Sequence, residues 1–160
     1  MASINGFSLM KEGELQERGY LYYTNYGIYY NGDRVGKYDQ MDNIHKSIIE
    51  IDDEEIRKEL TNTSNKWYEK HPIIRQDRHI ELKGLDKDEG LLLNILELEA
   101  IQSRARARLN QNKGSYYILF WENEEKYDIC LYDEIEKQMF ISNNRVIFVA
   151  RSEDDFNIVV

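Results

Sequence analysis

A single cysteine, Cys130, and a single proline, Pro72, in 160 residues exclude a good deal. One cysteine forbids an intramolecular disulfide and every zinc site assembled from cysteine pairs, and it points to a reducing compartment. The nine glycines are not gathered between a strand and a helix as a phosphate-binding or dinucleotide-binding loop requires, so nucleotide hydrolysis has no support. His45, His71 and His79 are not spaced as ligand pairs on a helix face, and no Gly-x-Ser-x-Gly elbow presents a nucleophile. No run approaches the roughly 18 consecutive apolar residues of a spanning helix, and residues 1–11 hold no apolar stretch behind a basic start. These absences lead us to expect a cytoplasmic protein without cofactor, metal or membrane contact.

What the chain has in excess is negative charge. Thirty acids against twenty-one bases give a formal charge of −9, a field that repels nucleic acid and anionic membrane and attracts basic surfaces. Apolar residues make up 41% and charged residues 32% of the chain, enough for one core and a wetted surface, so one domain over residues 1–160 is expected.

Local patterns predict an α+β fold: an antiparallel sheet with an N-terminal aromatic hairpin, packed against two main helices. Residues 4–9 read as a short strand and residues 11–18 as a charged connection. Residues 19–38 are rich in aromatic and β-branched side chains, as sheet favours. Asn31-Gly32 within them suits a type I′ turn, because both residues tolerate positive φ. That register sets Tyr30 opposite Asp33, Tyr29 opposite Arg34 and Ile28 opposite Val35, with Ile28 and Val35 facing the core. Asp52 and Glu55 form an Asp-x-x-Glu box, with Ile51 and Ile56 as its hydrophobic staple, predicting a helix from about residue 53 to residue 70 that Pro72 stops. Asp86 and Glu89 repeat the box ahead of a second helix reaching residue 110, with Leu92, Ile95 and Leu96 buried; Arg104, Arg106 and Arg108 suit its C-terminal dipole end, and Gly114 its stop. Strands are expected at 79–83, 115–121, 126–132, 144–151 and 156–160, with a short helix or turn at 133–140.

The residues that carry chemistry lie on the surface. Glu81 and Lys83, with Asp77, echo half of a metal-dependent nuclease motif, but a second carboxylate should arrive from an earlier strand, and Asp77 is too close in sequence to do so. Cys130, between Ile129 and Leu131, reads as a small buried apolar residue. Acidic groups recur instead: Asp52, Asp53 and Glu54; Glu122, Glu124 and Glu125; Asp133, Glu134 and Glu136; Glu153, Asp154 and Asp155. If these shared one side at phosphate-like spacing, the protein would imitate a nucleic-acid backbone. Tyr22, Tyr23, Tyr26, Tyr29 and Tyr30 crowd the first sheet, too many for one face to bury, and an exposed tyrosine offers contact area at low entropic cost. Tyr22, Tyr23, Tyr26 and Tyr29, with the acidic groups at 52–54, 122–125 and 153–155, are the expected partner-binding residues.

The hairpin Gly27, Ile28, Tyr29, Tyr30, Asn31, Gly32, Asp33, Arg34, Val35, Gly36, Lys37, Tyr38 resembles that of a loose group of small, mostly uncharacterised proteins of Gram-positive prophages and mobile elements. The leucine-rich helix at 91–114, with its basic end, is similar too. The resemblance covers about a quarter of the chain and implies a setting in which accessory proteins block host factors. The expected function is a non-enzymatic inhibitor of a basic host protein, such as a defence enzyme with a nucleic-acid-binding surface. The alternative is an immunity protein or antitoxin that neutralises a cognate toxin.

Overall fold

The computed structural model describes residues 1–17, 21–40, 47–70, 86–111, 116–122, 126–132, 138–139 and 146–160, and the side chains among these except at 15–17, 21–23, 70, 107–111, 116–122, 126–132 and 146–149. Its strands are β1 (Ser3–Ile4), β2 (Phe7–Glu17), β3 (Leu21–Tyr30), β4 (Asp33–Gln40) and β5 (Ile48–Ile51), then β6 (Tyr116–Glu122), β7 (Lys126–Tyr132), β8 (Val146–Ala150) and β9 (Asn157–Ile158). Two helices, α1 (Glu54–Lys70) and α2 (Lys87–Gln111), separate the groups. The fold is the expected α+β one, but the strands form two sheets, a six-stranded one ordered β5-β4-β3-β2-β1-β9 and a three-stranded one ordered β7-β6-β8. All pairings are antiparallel except β1 with β9. Of the remaining sequence expectations, the strand at 79–83 lies outside the described residues, and so does most of the 133–140 element.

The aromatic hairpin forms where it is expected. Asn31 and Gly32 take φ of 51° and 93°, the pair of positive values a type I′ turn demands and a β-branched side chain at Gly32 would resist. Tyr30 pairs with Asp33 and Tyr29 with Arg34, but Ile28 pairs with Gly36 instead of Val35. A bulge at Val35 shifts the register, and Gly36 shows why this pairing suits it. A Cβ at Gly36 would sit 2.2 Å from the Glu50 carbonyl oxygen, so β5 approaches closely where a side chain would block it. Ile28 and Val35 nevertheless both pack on the core.

Two further expectations are corrected. Residues 11–17 are not a connection but the second half of β2, held by six of the strand's ten register pairs to β3, which continue past a bulge between Lys11 and Gly13. Residues 4–9 are not one strand: Asn5 and Gly6, at φ of 47° and 81°, make a second Asn-Gly turn joining β1 to β2. The two turns meet, since the Asn31 N–H donates to the Gly6 carbonyl at 3.0 Å. The Asn5 side chain accepts from the Val160 N–H at 2.8 Å, which fixes β9 beside β1. Phe156 is a buried end of a 3-10 turn, Glu153–Phe156, and so precedes the last strand.

Helix α2 explains the core. Residues 90–95 are buried all round, as befits a helix covered on more than one side. Leu92, Ile95, Leu98 and Ile101 meet Phe7, Leu9, Ile28 and Tyr38 of the sheet, together with Leu60 and Trp67 of α1. Leu96 is only half-buried at the margin of this cluster, contrary to expectation, because it lies to the side of the stripe defined by Leu92, Ile95 and Leu98. Trp67 Nε1 donates to Asn94 Oδ1 at 3.0 Å, and Asn94 Nδ2 donates to the Gly90 carbonyl at 2.9 Å. Those bonds satisfy the polar atoms where the helices cross, and their loss would leave buried donors and acceptors unmade.

Candidate functional site

Both helices begin with carboxylates because four N–H groups at a helix start lack intrahelical partners. In α1 the cap is Asp53, not the expected Asp52: its Oδ1 accepts from the Glu55 and Ile56 N–H groups at 2.9 and 3.1 Å. In α2 the cap is Asp86, whose Oδ1 accepts from the Asp88 N–H at 3.1 Å. The two starts are tied together. Arg57 Nη1 lies 2.5 Å from Asp88 Oδ2, and the Thr61 hydroxyl donates to the same oxygen at 2.9 Å. Asp88 is buried, so its charge is matched by one cation and one hydroxyl, as a desolvated carboxylate requires.

Next to this pair, the Tyr38 hydroxyl donates to Glu89 Oε1 at 3.1 Å. Burial pushes that hydroxyl well above its ordinary pKa; the Glu89 charge adds to the rise and a hydrogen bond with Ser47 opposes it. Tyr68, from α1, is likewise raised, first by burial and then by the Asp88 charge. A hollow of about 500 Å³ is lined, among the described residues, by Ser47, Ile48 and Ile49 of the β5 side and by Arg57, Asp86 and Glu89 of the helices. A smaller hollow of about 380 Å³ lies on the other side of Arg57, against Lys58, Thr61 and Asn62.

Among the described residues, the charge balance of the larger hollow is negative. Arg57 is engaged by Asp88, while Asp86 and Glu89 form no ion pair among the described residues. Asp52 and Glu54 stand exposed at the start of α1, and Glu55 pairs only with exposed Lys58 at 2.9 Å. Such a lining suits a guanidinium or ammonium group. Among the described residues no three His, Cys, Asp or Glu side chains come together as a metal site would need, and Asp77, Glu81 and Lys83 of the nuclease reading lie outside them.

The expected partner-binding residues are dispersed. Asp52, Asp53 and Glu54 are at the start of α1, whose Arg57 lines the larger hollow. Glu153, Asp154 and Asp155 are beside the far part of α2, where Arg106 pairs with Glu153 and Gln102 Nε2 donates to the Glu153 carbonyl at 2.9 Å. Eighteen residues separate Asp88 from Arg106, about 27 Å along a helix rising 1.5 Å per residue. The two acidic groups are therefore anchored toward opposite ends of α2. Glu122 ends β6 in register with Lys126, and Glu124 and Glu125 lie outside the described residues.

The tyrosines divide between the faces of the sheet. Tyr26 turns to the core side and stacks on Tyr38, with centroids 6.0 Å apart; burial raises its hydroxyl pKa, Lys11 opposes and Glu14 reinforces. Tyr29 lies on the opposite face, in register with Arg34, whose guanidinium grips Glu12 through two hydrogen bonds of 2.6 and 2.8 Å and holds that carboxyl below its usual range. Tyr22 and Tyr23 pair with Gln16 and Leu15, and their side chains lie outside the described set. Asp86, Asp88, Glu89, Arg57 and Tyr38 are site residues that sequence reasoning did not select. Asp86 and Glu89 carry a visible signal, the helix-start box, but nothing local joins them to Arg57 or Tyr38.

Comparison with known proteins yields no matching protein family, no matching curated protein and no matching solved structure. Among the described residues, no helix is long and apolar enough to cross a membrane.

Proposed function

We propose that this chain is a non-enzymatic binding protein that docks a basic surface of another protein against its acidic end, where α1 and α2 begin. The observation that carries the reading is the hollow lined by Asp86 and Glu89, which form no ion pair among the described residues; Asp52 and Glu54 stand exposed at the start of α1, whose Arg57 lines the same hollow. Unneutralised carboxylates around a concave site attract and orient cations. A basic groove that otherwise holds nucleic acid is a surface of matching charge. The prophage-like hairpin supplies the setting, in which the partner is a host defence protein and binding inhibits it.

The test is a capture from host lysate with the intact chain at low and at physiological salt, repeated with the Asp52→Asn, Glu54→Gln, Glu89→Gln triple variant. A basic partner retained by the intact chain and lost by the variant is expected. Association should slow as salt rises, because fields between exposed charges are screened beyond about 8 Å at physiological ionic strength. A partner held equally by both forms, or a partner without a basic surface, would overturn the reading.

A further inference from the structure

Strand β5 ends the six-stranded sheet and, among the described residues, pairs only with β4. Alternate residues of an antiparallel edge strand direct N–H and C=O groups away from the sheet, ready to pair with another chain. Edges are commonly blunted by proline, lysine or an inward-pointing charge. The sequence of β5, Ile-Ile-Glu-Ile, has no proline and no lysine, and its one charge, Glu50, points to the face opposite the helices, toward Lys37 at 3.1 Å. Ile48 is 44% exposed.

The larger hollow lies along this edge. Ser47, Ile48 and Ile49 form one wall and Arg57, Asp86 and Glu89 the other. Tyr38, in register with Ile49, faces the core and reaches Glu89, so the hollow is on the helix side of the sheet. A strand added beside β5 would lie about 4.8 Å from it and send every second side chain toward that side. A lysine or arginine there would lay its aliphatic stem along Ile49 and bring its charge to Asp86 and Glu89.

We infer that β5 is a docking edge for an extended basic segment of a partner protein, which pairs with β5 as a seventh strand and seats a lysine or arginine in the hollow between β5 and the helix starts. The inference rests on the binding reading above and names how the partner is held. Charge argues for this occupant over a second copy of the chain, because self-pairing at β5 would bring two acidic ends together.

Peptides test it without altering the fold. A short synthetic peptide of alternating Val and Lys is titrated into the isotope-labelled full chain. In parallel, the same peptide is used with alternate backbone amides N-methylated, which keeps the charge and removes the donors. The unmodified peptide is expected to shift the backbone amides of residues 48–51 and to bind about tenfold or more tightly than the methylated one, the margin of one or two lost hydrogen bonds. Glu89→Gln, which preserves an acceptor for Tyr38, should weaken the unmodified peptide severalfold, and Asp154→Asn, beside the far part of α2, should leave it unchanged. Equal binding of both peptides would overturn strand pairing while leaving an acidic docking end intact. Amides of residues 48–51 that stay unmoved at millimolar peptide would also overturn it, and the lysate capture would then decide the binding reading by itself.

Discussion

Two acidic runs that look alike in sequence, residues 52–55 and residues 153–155, have opposite fates in the fold. In the second, the chain reverses through a 3-10 turn that leaves backbone donors to satisfy. Asp155 Oδ2 accepts from the Arg151 and Ser152 N–H groups at 2.6 and 3.0 Å, and Glu153 is paired with Arg106. In the first, one side chain suffices as a cap: Asp53 takes the α1 N–H groups. Asp52 and Glu54 are left exposed with no partner among the described residues. The tight turn engages two of its three carboxylates, Glu153 and Asp155, within the fold, whereas the α1 start with its single capping residue leaves Asp52 and Glu54 facing outward.

The comparison can be broken most severely by alkali, which acts on two tyrosines packed against the start of α2. The Tyr38 hydroxyl donates to Glu89 and the Tyr68 hydroxyl lies against Gly90, and both are raised above their ordinary value of 10.0. In the unfolded chain they ionise near that value, and in the fold only above it. Their contribution to stability is therefore complete below about pH 10 and is lost as pH rises beyond it. Denaturant midpoints should hold steady up to that pH and fall steeply above it; ionisation of Tyr38 or Tyr68 on the folded chain at the ordinary value, read residue by residue by NMR, would contradict the burial. Tyr38→Phe should remove part of the pH dependence.

The next largest effect is expected from Asp88→Ala. It strips a buried acceptor from Arg57 and Thr61, and should cost about 2–3 kcal/mol, less than for a fully buried pair because Arg57 is a third exposed. Chemical denaturation measures it, and a loss under about half a kcal/mol would mean that the helix starts are not held by this contact. Asp155→Ala, which orphans two turn N–H groups, should cost about 1 kcal/mol by the same measurement. The smallest effect belongs to the 52–55 run: Asp52→Asn with Glu54→Gln should change stability by no more than about 0.5 kcal/mol yet weaken partner capture. A stability loss as large as that of Asp155→Ala would assign both runs the same structural role and erase the contrast.

Much of the local structure is legible in the residues. The Asn31-Gly32 turn, the two helices and the burial of Leu92 and Ile95, though not of Leu96, follow from dihedral preference, capping and periodicity, each set within a few neighbouring positions. The same dipeptide at Asn5-Gly6 is easily passed over because the strand before it has only two residues and gives no alternation to read. The bulge at Val35 is not legible either, since it accompanies the close approach of β5 at Gly36 and not any preference of valine. Of the candidate site, Asp52, Asp53 and Glu54 stand out as charge, whereas Asp86 and Glu89 read only as a helix start.

By itself the sequence determined the element types, the acidic surplus and the places where helices begin, because those depend on side chains acting on their own backbone. Only the tertiary structure decided which acids remain unneutralised, which tyrosine turns inward and which strand ends a sheet. Arg57 and Asp88 are 31 residues apart, and Tyr38 and Glu89 are 51 apart. Contacts at such separations are chosen by how the whole core packs, because loop closure costs little more for one distant partner than for another, and no local pattern records the outcome.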